Sequence, residues 1–459
     1  MFDKYAAVVD RIEPIKQIGR IRRVQGLLIE SDGPPVFVGE LCQIVMPRGG
    51  GTVWSEVVGV EGALVHLMPY AEVDGIEVGC SVVGTGETLQ VPVSDKLLGR
   101  VIDGRGRPID GGGDIGSAEL YPAVSAPPDV LDRDPIHQQI VTGVRAIDGL
   151  IPVGKGQRLG IFSGSGVGKS TLLGMIARNT SADINVIALI GERGREVREF
   201  IENDLGPEGL ARSVVVVSTS NTPPLARLRG AYVATAIAEY FRDQGQDVML
   251  LFDSVTRFAR AQREIGLATG EPPATRGYTP SVFSLLPKLL ERCGTSDRGT
   301  ITGFYSILVE GDDMDEPISD AVRGILDGHL VLTRKLAQRY HYPAIDVLAS
   351  VSRLANRVSH PRVRQAAGYL RRLMATYTDS EDLINVGAYQ RGTNREIDEA
   401  IEKMPQINGF LRQDIDEKAS LETTESGIMG IAGMGAVGTG TGETGTGETE
   451  AIVETEAIE

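Results

Sequence analysis

Residues 162–173 read FSGSGVGKSTLL, and these types at this spacing suit the cradling of a polyphosphate. Gly164 and Gly166 permit backbone angles that turn successive amide N–H groups toward one point. Gly168 lets the main chain approach a phosphate closely. Ser165 and Val167 complete the loop. Lys169 would put a point charge between the β- and γ-phosphates and the Ser170 hydroxyl would ligate Mg2+. The helix opening there, with Thr171 in its first turn, offers its positive end. The strict pattern G-x-x-x-x-G-K-[ST] wants glycine five residues before Gly168, where this chain has Ser163. That weakens the pattern match but not the mechanism, because the later residues make the cradle.

Hydrolysis needs more than a loop. Asp253 ends the apolar run VMLLF, where a second carboxylate would hold the metal through water. A helix cap for SVTRFARA is its plainer alternative. Glu192 follows VIALIG, in GERGREVREF, where a carboxylate can polarise an attacking water, and Arg193 beside it would neutralise charge developing on the γ-phosphate. Arg195, Glu196, Arg198 and Glu199 come next, so on the residues alone a surface ion-pair network is an equal reading.

The elements that would position these groups emerge from the apolar patterning. Short alternating runs from Ile18 to Val93, such as VQGLLIE and WSEVVGV, predict a small antiparallel β-barrel or sandwich over residues 1–92. Gly- and Pro-dense sequence over 93–135 reads as a linker. Thereafter RLGIFSG, INVIALIGE, SVVVVSTS, VMLLFDS, TITGFYSILVE and HLVLTR alternate with helical segments at Lys169–Asn179, Val197–Asp204 and Arg229–Asp243. Strands apolar on both faces in that arrangement predict an α/β fold, a doubly wound and mostly parallel sheet spanning 93–352. Residues 353–426 read as a helical domain, and 427–459 as a disordered Gly/Thr/Glu tail.

Of the net charge of −16, −10 falls within Asp414–Glu459, which leaves a body of only −6 without a long basic run. Bulk attraction to nucleic acid is not indicated. No apolar run approaches the ~18 residues that a membrane span requires, so a cytoplasmic protein is expected. Cys42, Cys80 and Cys293 stand far apart and suit buried small hydrophobes.

With these residues in place, the chain resembles the catalytic subunits of the rotary ATPase superfamily, above all the flagellar and type III secretion export ATPases. LGRVIDGRGRPIDG, TGVRAIDGLIPVGKGQRLGIFSGSGVGKS, GERGREVREFIENDLG, EPPATRGYTPSVFSLLPKLLERCG and PAIDVLASVS carry the resemblance, which runs from about Gly19 to Gln413. Ser163 in the loop is itself typical of the export branch. The resemblance implies a RecA-like P-loop core between an N-terminal barrel and C-terminal helices, with ATP and Mg2+ as ligands. It implies Lys169 and Ser170 as phosphate and metal contacts, Glu192 as the catalytic carboxylate, and Arg193 and Arg257 as groups reaching the γ-phosphate. Asp253 would serve the metal shell, Tyr342 would stack on adenine, and Phe410 would face the same base.

Arg353, directly after PAIDVLASVS, matches the arginine that a neighbouring subunit inserts. One chain then carries both halves of a shared site, which implies a homohexameric ring. The family's activity is ATP hydrolysis driving protein export, with stator and stalk proteins, chaperone–cargo complexes and a membrane export gate as partners. A catalytic subunit of an F- or V-type proton-translocating complex is the alternative. A Rho-like RNA translocase is a third, resting on GRIRRVQG.

Overall fold

The computed structural model describes residues 17–47, 50–116, 118–309 and 313–435. Six antiparallel strands, β1 (Ile18–Gln25), β2 (Leu28–Asp32), β3 (Leu41–Val45), β4 (Thr52–Glu61), β5 (Leu64–Pro69) and β6 (Ser81–Gly84), close into a barrel in the order β1-β2-β5-β4-β3-β6. Alternation along each strand sends Ile21, Ile29, Ile44, Val57, Leu67 and Val82 inward to fill it. Cys42 and Cys80 belong to this core and, like Cys293, are free and buried.

The stretch expected to be a linker is more structured than that. β7 (Gln90–Val93) pairs with β9 (Glu119–Pro122), and β8 (Val101–Asp103) joins the main sheet as its outermost parallel strand. The glycines around β8 disguise it, since three residues give no readable period. After the short pair β10 (Gln139–Ile140) and β11 (Val153–Gly154) come β12 (Arg158–Ser163), β13 (Ile184–Ile190), β14 (Ser213–Ser218) and β15 (Asp247–Asp253). β16 (Gly294–Thr295), β17 (Thr300–Leu308), β18 (Gly328–Leu332) and β19 (Ile345–Ser352) follow. The sheet runs β19-β18-β12-β17-β15-β13-β14-β8, parallel except for β19, which lies antiparallel to β18 at the far edge; β16 pairs with β17 alone. Every residue of β13 and β14 is buried, as strands covered by helices on both faces must be.

Barrel and sheet are bolted together by a buried ion pair. Glu56 on β4 accepts from Arg229 of the helix Pro224–Asp243 and from the Tyr70 hydroxyl at 2.7 Å. On the other side of the sheet, the helices Pro361–Asn385, Arg395–Leu411 and Leu421–Ile431 share one core with the sheet and with the helix Arg145–Leu150. The last of these corrects the boundary expected at 427. Ile428 and Met429 are buried, and Ile428 packs so closely on Gly149 that a Cβ there would come within 2.4 Å of it. Ile431, Ala432 and Met434 pack against the same core, so the start of the expected tail is docked. The rest of the expected acidic tail, from 436 on, lies outside the described residues, as do the first 16 residues.

Candidate active site

The phosphate loop turns out of the C-terminal end of β12 and into the helix Lys169–Asn179. Gly166 (φ 78°) and Gly168 (φ 91°) hold the left-handed angles that the turn requires. Val167 is buried and anchors the loop, while Ser165 lies exposed at its tip. Ser170 also faces outward, but the Thr171 side chain turns away to hydrogen-bond Asp204, leaving only its backbone N–H for a ligand. Tyr342 stands over the loop: a Cβ on Gly168 would lie 3.5 Å from its ring.

Three parallel strands bring the charged groups to Lys169. Asp253 closes β15 and is 3% exposed; its Oδ1 accepts from the Lys169 ammonium and from Ser306 Oγ of β17 at 2.6 Å. Burial alone would raise the Asp253 carboxyl, but Lys169, the Ser306 hydroxyl and Arg257 together pull it below its ordinary range. Glu192 leaves β13 and is 7% exposed. Its Oε1 lies 3.7 Å from Lys169 Nζ, and its Oε2 lies 3.1 Å from Arg257 Nη2. Here burial dominates: with the Asp253 charge nearby, it pushes the Glu192 carboxyl up to about 7 despite Lys169 and Arg257. A carboxyl poised near neutrality next to a phosphate loop has the proton affinity of a general base.

Glu192 Oε1 is buried without a hydrogen-bond partner. Beside it lies a cavity of about 10 Å³ lined by Ser170, Glu192, Glu196 and Asp253, together with Leu189, Val197 and Phe200. A space of that size is roughly that of one water. The Ser170 hydroxyl and the Asp253 carboxylate beside it are the oxygen donors that Mg2+ takes when its other ligands are waters and phosphates, and the unsatisfied Glu192 oxygen faces a space the size of the water it would activate.

The remaining expected residues are placed differently. Arg257 touches Glu192 and the Gly191 carbonyl, so it orients the carboxylate. Arg193 turns outward to Glu196 at 3.6 Å and begins the row of surface pairs Arg195–Glu199 and Arg198–Glu202. Phe410 is held against the Arg145 guanidinium, 5.9 Å from its ring centroid, and against Gly427.

Arg353 lies at the wrong end of the sheet to serve its own loop. Ser352 pairs with Gly328 at the start of β18, whereas Ser163, just before the loop, pairs with Leu332 at the end of it. Four residues along β18 amount to about 13 Å, and two strand spacings add to that separation. The Arg353 side chain is exposed.

Two contributors had little sequence signal. Ser306 was visible only as one hydroxyl within the apolar run TITGFYSIL. Gln413 donates its backbone N–H to the Tyr342 carbonyl at 3.0 Å, and nothing in the sequence links the two.

Residues 21–86 match the beta-barrel domain of the ATP synthase alpha/beta family, and residues 143–352 its nucleotide-binding domain. Residues 359–429 match the T3SS EscN ATPase C-terminal domain. The chain is 58% identical to the flagellum-specific ATP synthase of Treponema pallidum, over 94% of this chain and 96% of that one. It is 51% identical to the type 3 secretion system ATPase of Xanthomonas euvesicatoria, over 89% and 92%. Among solved structures, the assembled ATPase EscN of enteropathogenic E. coli superposes with a TM-score of 0.86 at 45% identity, covering 90% of this chain and all of that one. A second EscN structure, in complex with its central stalk EscO, gives 0.84 at 44% identity. Three consecutive domain matches and relatives aligned nearly end to end agree with the phosphate loop and its two carboxylates: the chain belongs to the ATP synthase alpha/beta family, in the branch of the flagellum-specific and type 3 secretion system ATPases.

Proposed function

We propose that this chain hydrolyses Mg-ATP in a homohexameric ring and thereby energises protein export through a flagellar or type III secretion apparatus. Gly164–Gly168 and Lys169 bind the phosphates, Tyr342 stacks on the adenine, and Ser170 and Asp253 hold the metal. The metal supplies charge neutralisation on the phosphate oxygens. Glu192, ionised above about pH 7, accepts a proton from the water that attacks the γ-phosphorus as the bond to ADP breaks. Arg257 keeps Glu192 aimed. Arg193 reaches the phosphate by leaving Glu196, and an exposed pair of that kind costs little to break.

The observation that carries the ring is the separation within one chain. Glu192 is next to Lys169, while Arg353, the matching finger, lies exposed at the opposite end of the sheet. A neighbour's Arg353 completes the site, which identical subunits in closed head-to-tail contact allow. No described helix is long and apolar enough to cross a membrane, and association with an export gate would be peripheral, on the cytoplasmic side. Stalk, stator and chaperone–cargo partners follow from the family. The C-terminal match favours this branch over an F- or V-type subunit. The basic run in GRIRRVQG is engaged locally, since Arg22 pairs with Asp32, Arg23 with Glu30, and Arg20 with the Gly79 carbonyl.

The test is complementation between Glu192→Gln and Arg353→Ala. Each alone is nearly inactive. Co-assembled at equal amounts, about a quarter of the interfaces join an intact carboxylate to an intact arginine, so turnover returns toward that fraction. No recovery in rings shown to be mixed refutes the shared site.

A further inference from the structure

Gln157 is fully buried immediately before β12, six residues upstream of Ser163, and has no part in the chemistry so far assigned. Its side-chain amide is completely used. Oε1 accepts from Gly154 N–H at 2.8 Å, and Nε2 donates to the Asp327 carbonyl at 3.0 Å and to Ser352 Oγ at 3.1 Å. Both of these acceptors hold the Arg353 backbone. The Asp327 carbonyl also accepts Arg353 N–H at 3.0 Å, and Ser352 is the preceding residue, its hydroxyl tied on to the Pro152 carbonyl at 2.7 Å. Arg158, next to Gln157, clamps the Asp327 carboxylate from Nε at 3.0 Å and is itself braced by Glu291.

A buried amide ordinarily needs only to be satisfied, and many partners would do. This one spends both donors on the two residues that fix where Arg353 leaves the sheet. Among the described residues, the Arg353 side chain beyond that root makes one long hydrogen bond, 3.4 Å to the Arg323 carbonyl, so its direction depends on the backbone that holds it.

We propose that Gln157 is a positioning residue for the arginine delivered in trans: it fixes the Ser352–Arg353 backbone so that the guanidinium enters the neighbouring protomer's site in register. The inference rests on the shared-site reading above. A displacement of about 1 Å in such a group is enough to cost on the order of a hundredfold in rate. Gln157 also directly precedes β12, the strand leading to its own phosphate loop, so a merely structural role would harm the other half-site instead.

Mixed rings separate the two. Gln157→Met keeps the side-chain length and removes the donors. It is expected to lower turnover by about tenfold to a hundredfold while leaving affinity for a fluorescent ATP analogue within about twofold of wild type. Co-assembly with Glu192→Gln, which keeps a sound arginine, should restore activity; co-assembly with Arg353→Ala should not. Rescue by Arg353→Ala and not by Glu192→Gln would place the defect in Gln157's own nucleotide half and overturn the proposal, as would unimpaired turnover. If Gln157→Met fails to assemble, Ser352→Ala, which removes one acceptor of the pair, carries the same mixing test. The Glu192→Gln with Arg353→Ala pair, run alongside, must recover. Its failure would refute the shared site itself, a result distinct from a wrong rescue pattern.

Discussion

Replacing Glu192 by glutamine should abolish turnover and yet stabilise the nucleotide-free protein above neutral pH. The Glu192 carboxyl is raised from its ordinary 4.5 to about 7, first by burial and then by Asp253, against the pull of Lys169 and Arg257. A carboxylate with a raised native pKa holds its proton more tightly folded than unfolded. Stability therefore falls as pH rises through the window from about 4.5 to 7, and above 7 the whole penalty stands. At ~1.4 kcal/mol per decade of proton affinity, that separation is worth about 3 kcal/mol. Glutamine keeps the shape and sheds the charge. Glu192→Gln should thus be about 2–3 kcal/mol more stable at about pH 8, an advantage that fades toward pH 4.5. For a unit the size of residues 143–352, each kcal/mol shifts the melting temperature by about 2–4 °C. Thermal melts of both proteins without nucleotide, at several pH values, read this directly, and turnover in parallel should drop by about 10²–10⁴. A variant no more stable than wild type at pH 8, or a gain unchanged across the window, would mean that Glu192 is not the strained carboxyl described.

The same carboxyl shapes the pH–rate profile. For the wild-type enzyme, kcat/KM should fall about tenfold per pH unit below about 7 as Glu192 takes up its proton, and no limb should persist there in the residual activity of Glu192→Gln. Away from the site, Arg292 is wholly buried and bonds both oxygens of Glu239 as well as the Ala123 carbonyl. Arg292→Met, which strands the Glu239 carboxylate, should cost about 3–5 kcal/mol in urea unfolding, and adding Glu239→Gln should recover part of that loss.

The parts of this molecule legible in its sequence are those dictated by backbone constraint or by burial on both faces. Gly166 and Gly168 signal left-handed turns, and a turn of that kind between an apolar strand and a helix leaves Lys169 few places to be. INVIALI and VMLLF read as buried strands, and so locate Glu192 and Asp253 at strand ends. What stayed hidden depends on contacts between distant segments. Ser306 reaches Asp253 because β17 lies beside β15, and Arg257 reaches Glu192 because its helix crosses the end of β13. Neither register is written in a local pattern. Phe410 was assigned by resemblance, and the structure sets it against Arg145, a partner far away in sequence that no spacing singles out, whereas the Arg193–Glu196 pair is the i,i+3 contact that the run of alternating charges had offered. The last five residues of the helix Leu421–Ile431 were assigned to the tail because the Gly/Thr/Glu composition farther along outweighed the local run GIMGI.

The charges around Lys169 explain why one chain should not be enough. Lys169 and Arg257 are matched by Asp253 and ionised Glu192, all four within ion-pair distance of a partner, so the pocket is close to neutral as it stands. Mg-ATP brings net negative charge into that neutral, largely buried pocket. The protein's own moves cannot offset it: when Lys169 swings from Asp253 to the phosphates, Asp253 is freed to the metal, and the sum over the site does not change. Only a further cation can, and it matters most as charge builds on the γ-phosphoryl oxygens in the transition state. Arg193, next to Glu192 in sequence, sits three-quarters exposed on Glu196, where water screens much of what it could offer. An arginine arriving from outside the chain, and excluding water as it arrives, answers the deficit at the moment of reaction. The near-neutrality of the pocket's own charged groups is thus itself a physical reason for the site to lie between two protomers.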